Sequence, residues 1–302
     1  MRYPIIFIVG PTAVGKSRAA FELAKRISAD IVSCDSMLVY KEPDIIVDKP
    51  EKRVLNEVKH YLVGSISVRE EFDVFKFKVL ADRIIKNNIS KKSLVFAGGS
   101  GLYIKIILDG LFEGVSASDK VRKSILERAE AEGLTPLYEE LKEVDPEYAA
   151  KISGNDLRRI TRALEVYYVS KIPLSHKQKE SKGWWGKVPV KIFGLKTDRQ
   201  KLYEKINLRA DKMAAKGALE EVRKLLETGL SKTAEKILGI KEFKRCIEGE
   251  WSLEKSVSEL KKNTRRYAKR QMTWFRKDKR IEWIDIDGKE TKNVAEEILA
   301  KM

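Results

Sequence analysis

The sequence predicts an α/β fold, a parallel β-sheet flanked by helices and interrupted by an all-helical insertion. Three observations predict it. An apolar run at residues 5–9 passes through a glycine loop into a helical pattern, strand and helix signals alternate up to residue 111, and strand signals then stop until residue 190. The 302 residues are enough for one large domain or for a core with a subdomain. A 43% hydrophobic content is that of a folded chain, and no run approaches the ~18 apolar residues of a membrane span.

Taken in order, Ile5-Ile6-Phe7-Ile8-Val9 reads as a fully buried strand, and residues 18–24 carry apolar side chains at helical spacing. Residues 29–33 form a second strand that ends at Cys34-Asp35-Ser36. A helix is expected over 72–86, with Phe75, Val79 and Ile84 as its apolar positions. Residues 93–97 are a further buried strand, closed by Gly98-Gly99-Ser100-Gly101, and 102–111 a helix. Helical stretches at 120–133, 136–142, 146–152 and 156–170 make up the insertion, and Trp184-Trp185 marks the return to the core. Residues 190–195 resume the sheet. Helices follow at 199–217, 219–229, 236–248 and 253–277, then a short strand at 281–284 and a terminal helix at 294–301. The expected organisation is a core of residues 1–115 and 190–302 with an insertion at 116–189.

Gly10-Pro11-Thr12-Ala13-Val14-Gly15-Lys16-Ser17 fits GxxxxGK[ST] between a strand and a helix, the context that makes this pattern a phosphate loop. The core is therefore expected to be P-loop NTPase-like. Its glycines let successive N–H groups converge on an anion, Lys16 reaches a terminal phosphate, and the Ser17 hydroxyl suits Mg²⁺. Nucleotide hydrolysis or phosphoryl transfer would ask for a second carboxylate after a later strand. Residues 94–97 end instead in Gly98-Gly99-Ser100. The acid at a strand end is Asp35, either a cap for the following segment or a base for a nucleophile beside the phosphates. The 98–101 turn either is simply tight or admits a ligand closely, with Ser100 donating to one of its oxygens.

Sixty-one basic against 45 acidic side chains leave +16, more than a phosphate pocket requires; a polyanionic partner or a generally Lys-rich proteome accounts for it. Position favours the first. In the 253–277 helix, Lys262, Arg266, Lys269, Thr273 and Arg276 share one face, with Tyr267, Gln271, Trp274 and Phe275 toward another. Arg158, Arg159 and Arg162 form a second cluster. Cations without acids nearby over several turns suit a phosphate backbone, although a solvated basic face has the same pattern. His60 and His176 are isolated and read as structural or surface residues. Cys34 and Cys246 form no metal or redox motif, and the amino terminus lacks a signal-peptide pattern, so a cytoplasmic protein is expected.

With these pieces in place, the sequence resembles the bacterial tRNA dimethylallyltransferases over nearly its whole length. The glycine loop is followed by Asp35-Ser36-Met37-Leu38-Val39-Tyr40, then by Gly98-Gly99-Ser100-Gly101-Leu102-Tyr103. Next come Asp145-Pro146 and the run 155–166, Asn155-Asp156-Leu157-Arg158-Arg159-Ile160-Thr161-Arg162-Ala163-Leu164-Glu165-Val166. Arg209-Ala210-Asp211-Lys212-Met213 with Gly217, and the closing run 265–275, complete the series in the family's order. Apart from the glycine loop each block is a weak signal; together, in order, they are specific.

The resemblance implies transfer of a dimethylallyl group from its diphosphate to N6 of adenine 37 in the tRNA anticodon loop. Residues 10–17 would then hold the diphosphate of a prenyl donor, which explains the missing carboxylate. It further implies that Lys16, Arg209 and Mg²⁺ on Ser17 stabilise the leaving group, that Ser100 takes the role of the family's Thr, and that Asp35 accepts the amine proton. Residues implied to hold tRNA are Asp35, Ser36, Met37, Leu38, Gly101, Arg122, Arg158, Arg159, Ile160, Thr161, Arg162, Lys269, Arg270 and Gln271. The chain departs from the family at Leu38, at Ser100 and at Ile240, where a Tyr is frequent. The implied protein is a monomer without an obligate protein partner. The competing readings are an adenylate dimethylallyltransferase, which would need neither insertion nor basic helix, a P-loop small-molecule kinase, and a non-catalytic RNA-binding protein.

Overall fold

The computed structural model describes residues 3–112 and 118–302. The amino-terminal part runs β1 (Ile5–Val9), α1 (Lys16–Ile27), β2 (Asp30–Ser33), α2 (Lys52–Glu57), β3 (His60–Tyr61), α3 (Val74–Asn88), β4 (Leu94–Gly98) and α4 (Gly101–Asp109). There follow α5 (Asp119–Glu132), α6 (Leu134–Val144), α7 (Pro146–Ala149), α8 (Leu157–Ser170) and α9 (Leu174–Glu180). The chain closes with β5 (Val190–Lys196), α10 (Arg199–Ala215), α11 (Ala218–Thr228), α12 (Ile240–Ile247), α13 (Leu253–Phe275), β6 (Glu282–Asp285) and α14 (Thr291–Ala300). Among the described residues no helix is long and apolar enough to cross a membrane.

The six strands form one sheet in the order β3-β2-β4-β1-β5-β6, every pair parallel. Its centre is β1, whose five residues are all buried, as a strand covered on both faces must be. On one face Ile6 and Ile8 pack with Ala20 and Leu23 of α1, Leu202 and Ile206 of α10, and Val294 and Ile298 of α14. Elsewhere in the core Phe7 stacks on Phe96 with ring centroids 5.0 Å apart, and Phe77 stacks on Tyr103 at 3.9 Å. Burying such rings is worth about 1.5–3 kcal/mol each. The outermost strands are short, two residues in β3 and four in β6, which limits the unpaired edge.

The helix expected at 72–86 is present, but rotated from its expected facing. Phe77, Ala81 and Ile85 are buried, whereas Phe75 and Val79 are 57% and 42% exposed. Phe75 and Val79 are four residues apart, as are Phe77, Ala81 and Ile85, so that spacing alone does not choose between the two facings. The choice falls to tertiary packing, in which Phe77 finds Tyr103. Three short elements, α2, β3 and α9, went without a sequence signal because each is too brief for a period to show. His60 lies in β3, where its Nδ1 is 2.7 Å from the Val58 carbonyl and burial lowers its pKa.

The chain divides into two compact units, one of Met1–Ile107 with Trp185–Met302 and one of Leu108–Trp184. The expected boundary at 115/116 lies outside the described residues. At the other end the unit stops short of residue 189, because Trp185 already bridges to Val188 within the sheet-bearing unit. The smaller unit has its own core, Ile125, Leu137, Leu141, Ile160, Leu164 and Leu174 among others. Buried Asp145 accepts from the Tyr148 N–H at 3.0 Å, capping α7, and from the Ser175 N–H at 2.8 Å, which pins α9 beside it.

Adjacency of β2, β4 and β1 brings the segments after all three to one edge of the sheet. In a parallel sheet the crevice beyond the carboxyl ends is where ligands bind. Gly98 makes this approach tight: a Cβ there would lie 2.3 Å from the carbonyl carbon and oxygen of Cys34. Backbone cannot yield as a side chain does. Gly98→Ala is expected to lose about 1–3 kcal/mol of stability by overpacking, read as a lower urea midpoint at unchanged m-value.

Candidate active site

The glycine loop is shaped by three left-handed or positive-φ residues, Gly10 (φ 140°), Ala13 (63°) and Gly15 (96°). Gly10 is required twice over, since a Cβ there would sit 2.6 Å from the Leu195 carbonyl oxygen of β5. Gly15 is the N-cap residue of α1, so the loop's amides and the helix start share one anion-binding concavity. Lys16 donates to the Pro11 carbonyl at 2.6 Å, folding its ammonium over the loop. Burial pulls its pKa down to about 8; the charge of Asp35 opposes the fall and that of Arg209 adds to it.

Arg209 reaches the same loop from α10, which buries Leu202, Ile206, Ala210 and Met213 against the core. Its Nη1 donates to Thr12 Oγ1 at 3.1 Å, and its Nε lies 3.4 Å from Asp48 Oδ2. The partly exposed carboxylate of Asp48 thus steadies the guanidinium from the solvent side. Lys16 and Arg209 together make the loop strongly cationic.

Asp35 follows β2. Its Oδ1 accepts from the Met37 N–H at 2.9 Å, a local turn that uses one carboxylate oxygen and fixes the side chain's direction. No helix follows Asp35, so the expected cap is instead this turn over residues 36–39. Ser100 begins the turn into α4: its N–H donates to the Cys34 carbonyl at 3.1 Å, and its Oγ accepts from the Ser36 N–H at 3.2 Å. Asp35, Ser36 and Ser100 are half-buried. Tyr267 of α13 is close to this cluster: burial and then the Asp35 charge push its pKa up.

Gln271 was expected among the RNA-holding residues, and the structure turns it inward. It is 5% exposed; its Oε1 accepts from the Thr12 N–H at 2.8 Å, and its Nε2 donates to the Gly99 carbonyl at 3.0 Å. Gly99 leaves the space for it, since a Cβ there would fall 2.0 Å from Nε2. Next to it, Trp274 lies over Gly101, whose Cβ would meet the indole at 2.3 Å. The signal for an inward Gln271 was in the sequence, which put it on the face of Phe275; a buried amide simply needs partners that the sequence does not show.

On the outer side of α13, Arg266, Lys269, Arg270, Thr273 and Arg276 are exposed, and Arg270 lies over the Tyr267 ring at 5.6 Å. The face is less free of acids than expected: Lys261 pairs with Asp211 at 2.6 Å and Lys262 with Glu259 at 2.9 Å. Met37 and Leu38 are half-buried, and Ile240 is in the core, so it offers no stacking surface.

The remaining candidates belong to the smaller unit. Arg158 and Arg159 are exposed, with Arg159 3.3 Å from Asp156. Ile160 and Thr161, expected to hold RNA, are buried at 0% and 5%; both face the unit's interior because they fall on the apolar side of α8. Arg122 and Arg162 both pair with the buried Glu165, at 3.1 and 2.8 Å.

Among the described residues no group of three or more His, Cys, Asp or Glu is placed to hold a metal ion. The donor set fits Mg²⁺ in another way: Ser17 is exposed in the first turn of α1 and offers a hard oxygen beside the loop, the arrangement suited to a cation carried largely by phosphate oxygens.

The parallel sheet, the glycine loop and the cations over it define a P-loop-like α/β protein with a cationic crevice at one sheet edge. Comparison with known proteins makes this specific. Residues 38–278 match the family described as IPP transferase, and the chain belongs to that family. It is 42% identical to a tRNA dimethylallyltransferase of Natranaerobius thermophilus, over 98% of this chain and 90% of the relative, and 43% identical to one of Acetivibrio thermocellus, over 94% and 92%. It is similar to the crystal structure of a tRNA isopentenylpyrophosphate transferase from Bacillus halodurans, with a TM-score of 0.72, 32% identity, and coverage of 99% of this chain and 96% of that one. A eukaryotic dimethylallyltransferase acting on tRNA gives a TM-score of 0.82 at 25% identity, covering 99% and 80%.

Two outcomes follow from this geometry. Because the Lys16 ammonium binds anions only when protonated, affinity for inorganic diphosphate is expected to hold below pH 8 and to fall above it. Asp35→Asn removes a charge that raises the Lys16 pKa, so the fall should begin at lower pH, as calorimetric titration over pH 6.5–9.5 would show. Gln271→Ala leaves the Thr12 N–H and the Gly99 carbonyl unpaired, and is expected to weaken diphosphate binding about tenfold in the same titration.

Proposed function

We propose that this protein transfers a dimethylallyl group from dimethylallyl diphosphate to N6 of adenine 37 in the tRNA anticodon loop, releasing diphosphate. The observation that carries the reading is the joining of a phosphate loop to Asp35 and Ser100 at one sheet edge, where β4 ends in Gly98-Gly99-Ser100 with no carboxylate. Such an edge holds a diphosphate and a proton acceptor together without the second acid that phosphoryl transfer asks for. Membership of the family and the names of the relatives support the same activity.

In the proposed reaction the bond from C1 of the prenyl group to the diphosphate oxygen breaks, and its electron pair leaves with the diphosphate. The lone pair of N6 forms the new C–N bond, and the proton released from N6 goes to Asp35. Negative charge grows on the leaving oxygen, so donors already fixed around it lower the barrier. The loop amides, Lys16 and Arg209 on Thr12 are those donors. Ser100, held by the Ser36 N–H, stands beside the leaving oxygen in this reading. Mg²⁺ held by Ser17 and the diphosphate would add charge neutralisation there.

The acceptor base must leave its stack to enter such a crevice, which single-stranded loops permit at least cost. The exposed cations of α13 offer positive surface to an RNA backbone, and so, within the smaller unit, do its arginines. The unit at 108–184 is the tRNA-gripping part in this reading, in a cytoplasmic enzyme acting as a monomer.

The test is incubation with Mg²⁺, radiolabelled dimethylallyl diphosphate, and either unmodified tRNA or AMP. Label is expected in tRNA, with Asp35→Ala and Lys16→Ala each lowering the rate by at least ~10²-fold. Label in AMP alone would replace this reading with an adenylate prenyltransferase. ATP consumption without prenyl transfer would replace it with a kinase.

A further inference from the structure

Glu165 lies on α8 within the smaller unit, and its side chain is fully buried. Its Oε2 accepts from Arg122 Nη2 at 3.1 Å and from Arg162 Nη1 at 2.8 Å, while Oε1 accepts from the Ser118 N–H at 3.1 Å. Ser118 is itself the N-cap of α5, its Oγ accepting from the Val121 N–H. One carboxylate thus ties the start of α5 and the first-turn arginine of that helix to an arginine of α8. Burial raises the Glu165 pKa, but the two arginines more than offset this, and the group is held below the usual carboxylate range.

A simple tie between two helices does not require this arrangement. Apolar residues of similar volume join helices as well or better than a buried ion pair. Here two cations share one anion, so the cluster keeps a net positive charge. Both guanidiniums remain partly exposed, 42% for Arg122 and 35% for Arg162. Each uses one terminal nitrogen on Glu165 and retains other N–H donors in its planar fork. Arg158, one turn before Arg162 on α8, adds a further exposed cation. A long, flexible side chain loses freedom on gripping an anion; a guanidinium already fixed loses less.

We propose that Glu165 is a positioning residue for tRNA binding, a buried anion that holds Arg122 and Arg162 in one fixed pair to grip an RNA phosphate. The inference rests on the reading that the smaller unit binds tRNA. It has a distinctive sign. By charge alone, neutralising an acid beside phosphates strengthens RNA binding; by positioning, it weakens binding.

The experiment measures fluorescence anisotropy of a labelled, unmodified anticodon stem-loop at 50–300 mM KCl with Glu165→Gln, Glu165→Asp, Arg122→Ala and Arg162→Ala. Thermal unfolding of each variant is recorded alongside. Glu165→Gln is expected to bind about tenfold more weakly, the worth of one charge-assisted contact, with a salt slope shallower by about 1. In turnover the loss should appear in KM for tRNA and not in KM for the prenyl donor. Glu165→Asp keeps the charge but draws the carboxylate back by one methylene, and is expected to weaken binding as well. This second variant decides the matter should Glu165→Gln fail to fold. Unchanged or tighter binding by a folded Glu165 variant, with both arginine variants impaired, overturns the positioning role while leaving the RNA-binding unit intact. Wild-type binding by both arginine variants overturns the underlying reading as well.

Discussion

The buried amide of Gln271 links two loops that come from different strands. The Thr12 N–H belongs to the loop after β1 and the Gly99 carbonyl to the turn after β4, and Gln271 satisfies both from α13. Without it a donor and an acceptor would be stranded in the interior, at a cost of about 1–3 kcal/mol each. The bridge has a second effect. It makes α13, whose opposite face is rich in cations, part of the wall of the phosphate loop. The helix that meets the outside and the glycine loop are thereby joined through one side chain.

The charges around the loop are arranged with similar economy. Lys16 and Arg209 both lie over the loop, and two like charges so close would repel strongly in a partly dry site. Asp48 faces Arg209 from outside, and Asp35 acts on Lys16 from within. Each cation has its own carboxylate, and neither carboxylate neutralises the pocket. Asp35 is kept in direction by the Met37 N–H. Cys34, directly before it, is fully buried and its thiol is pushed up by burial and by Asp35, so the thiolate is suppressed next to the acid that matters.

Much of this was legible in the sequence because it is local. The glycine loop, the strand-end position of Asp35 and the small residues after β4 are each written in a few consecutive residues, and the structure has them on adjacent strands. The order of the strands is a long-range property, and no local pattern gave it. The facing of α3 was misread since two residue sets share its period, and Phe77 was chosen by an aromatic partner distant in sequence. Ile160 and Thr161 sat inside a run of cations and were taken with it, although helical phase sends them inward. Gln271 stands in the closing motif, but its partners, Thr12 and Gly99, are far away in the chain.

The depressed pKa of Lys16 has a consequence for how binding is observed. Burial pulls it down to about 8, so the amine there exchanges its proton within the pH range of ordinary binding measurements. An arriving diphosphate selects the charged form, so association draws protons from the medium. The heat of association then contains a share contributed by whichever buffer gives up the proton. Titrations in two buffers of unlike ionisation enthalpy would differ in apparent heat by an amount that counts the protons taken up, turning the ammonium over the loop into its own calorimetric label.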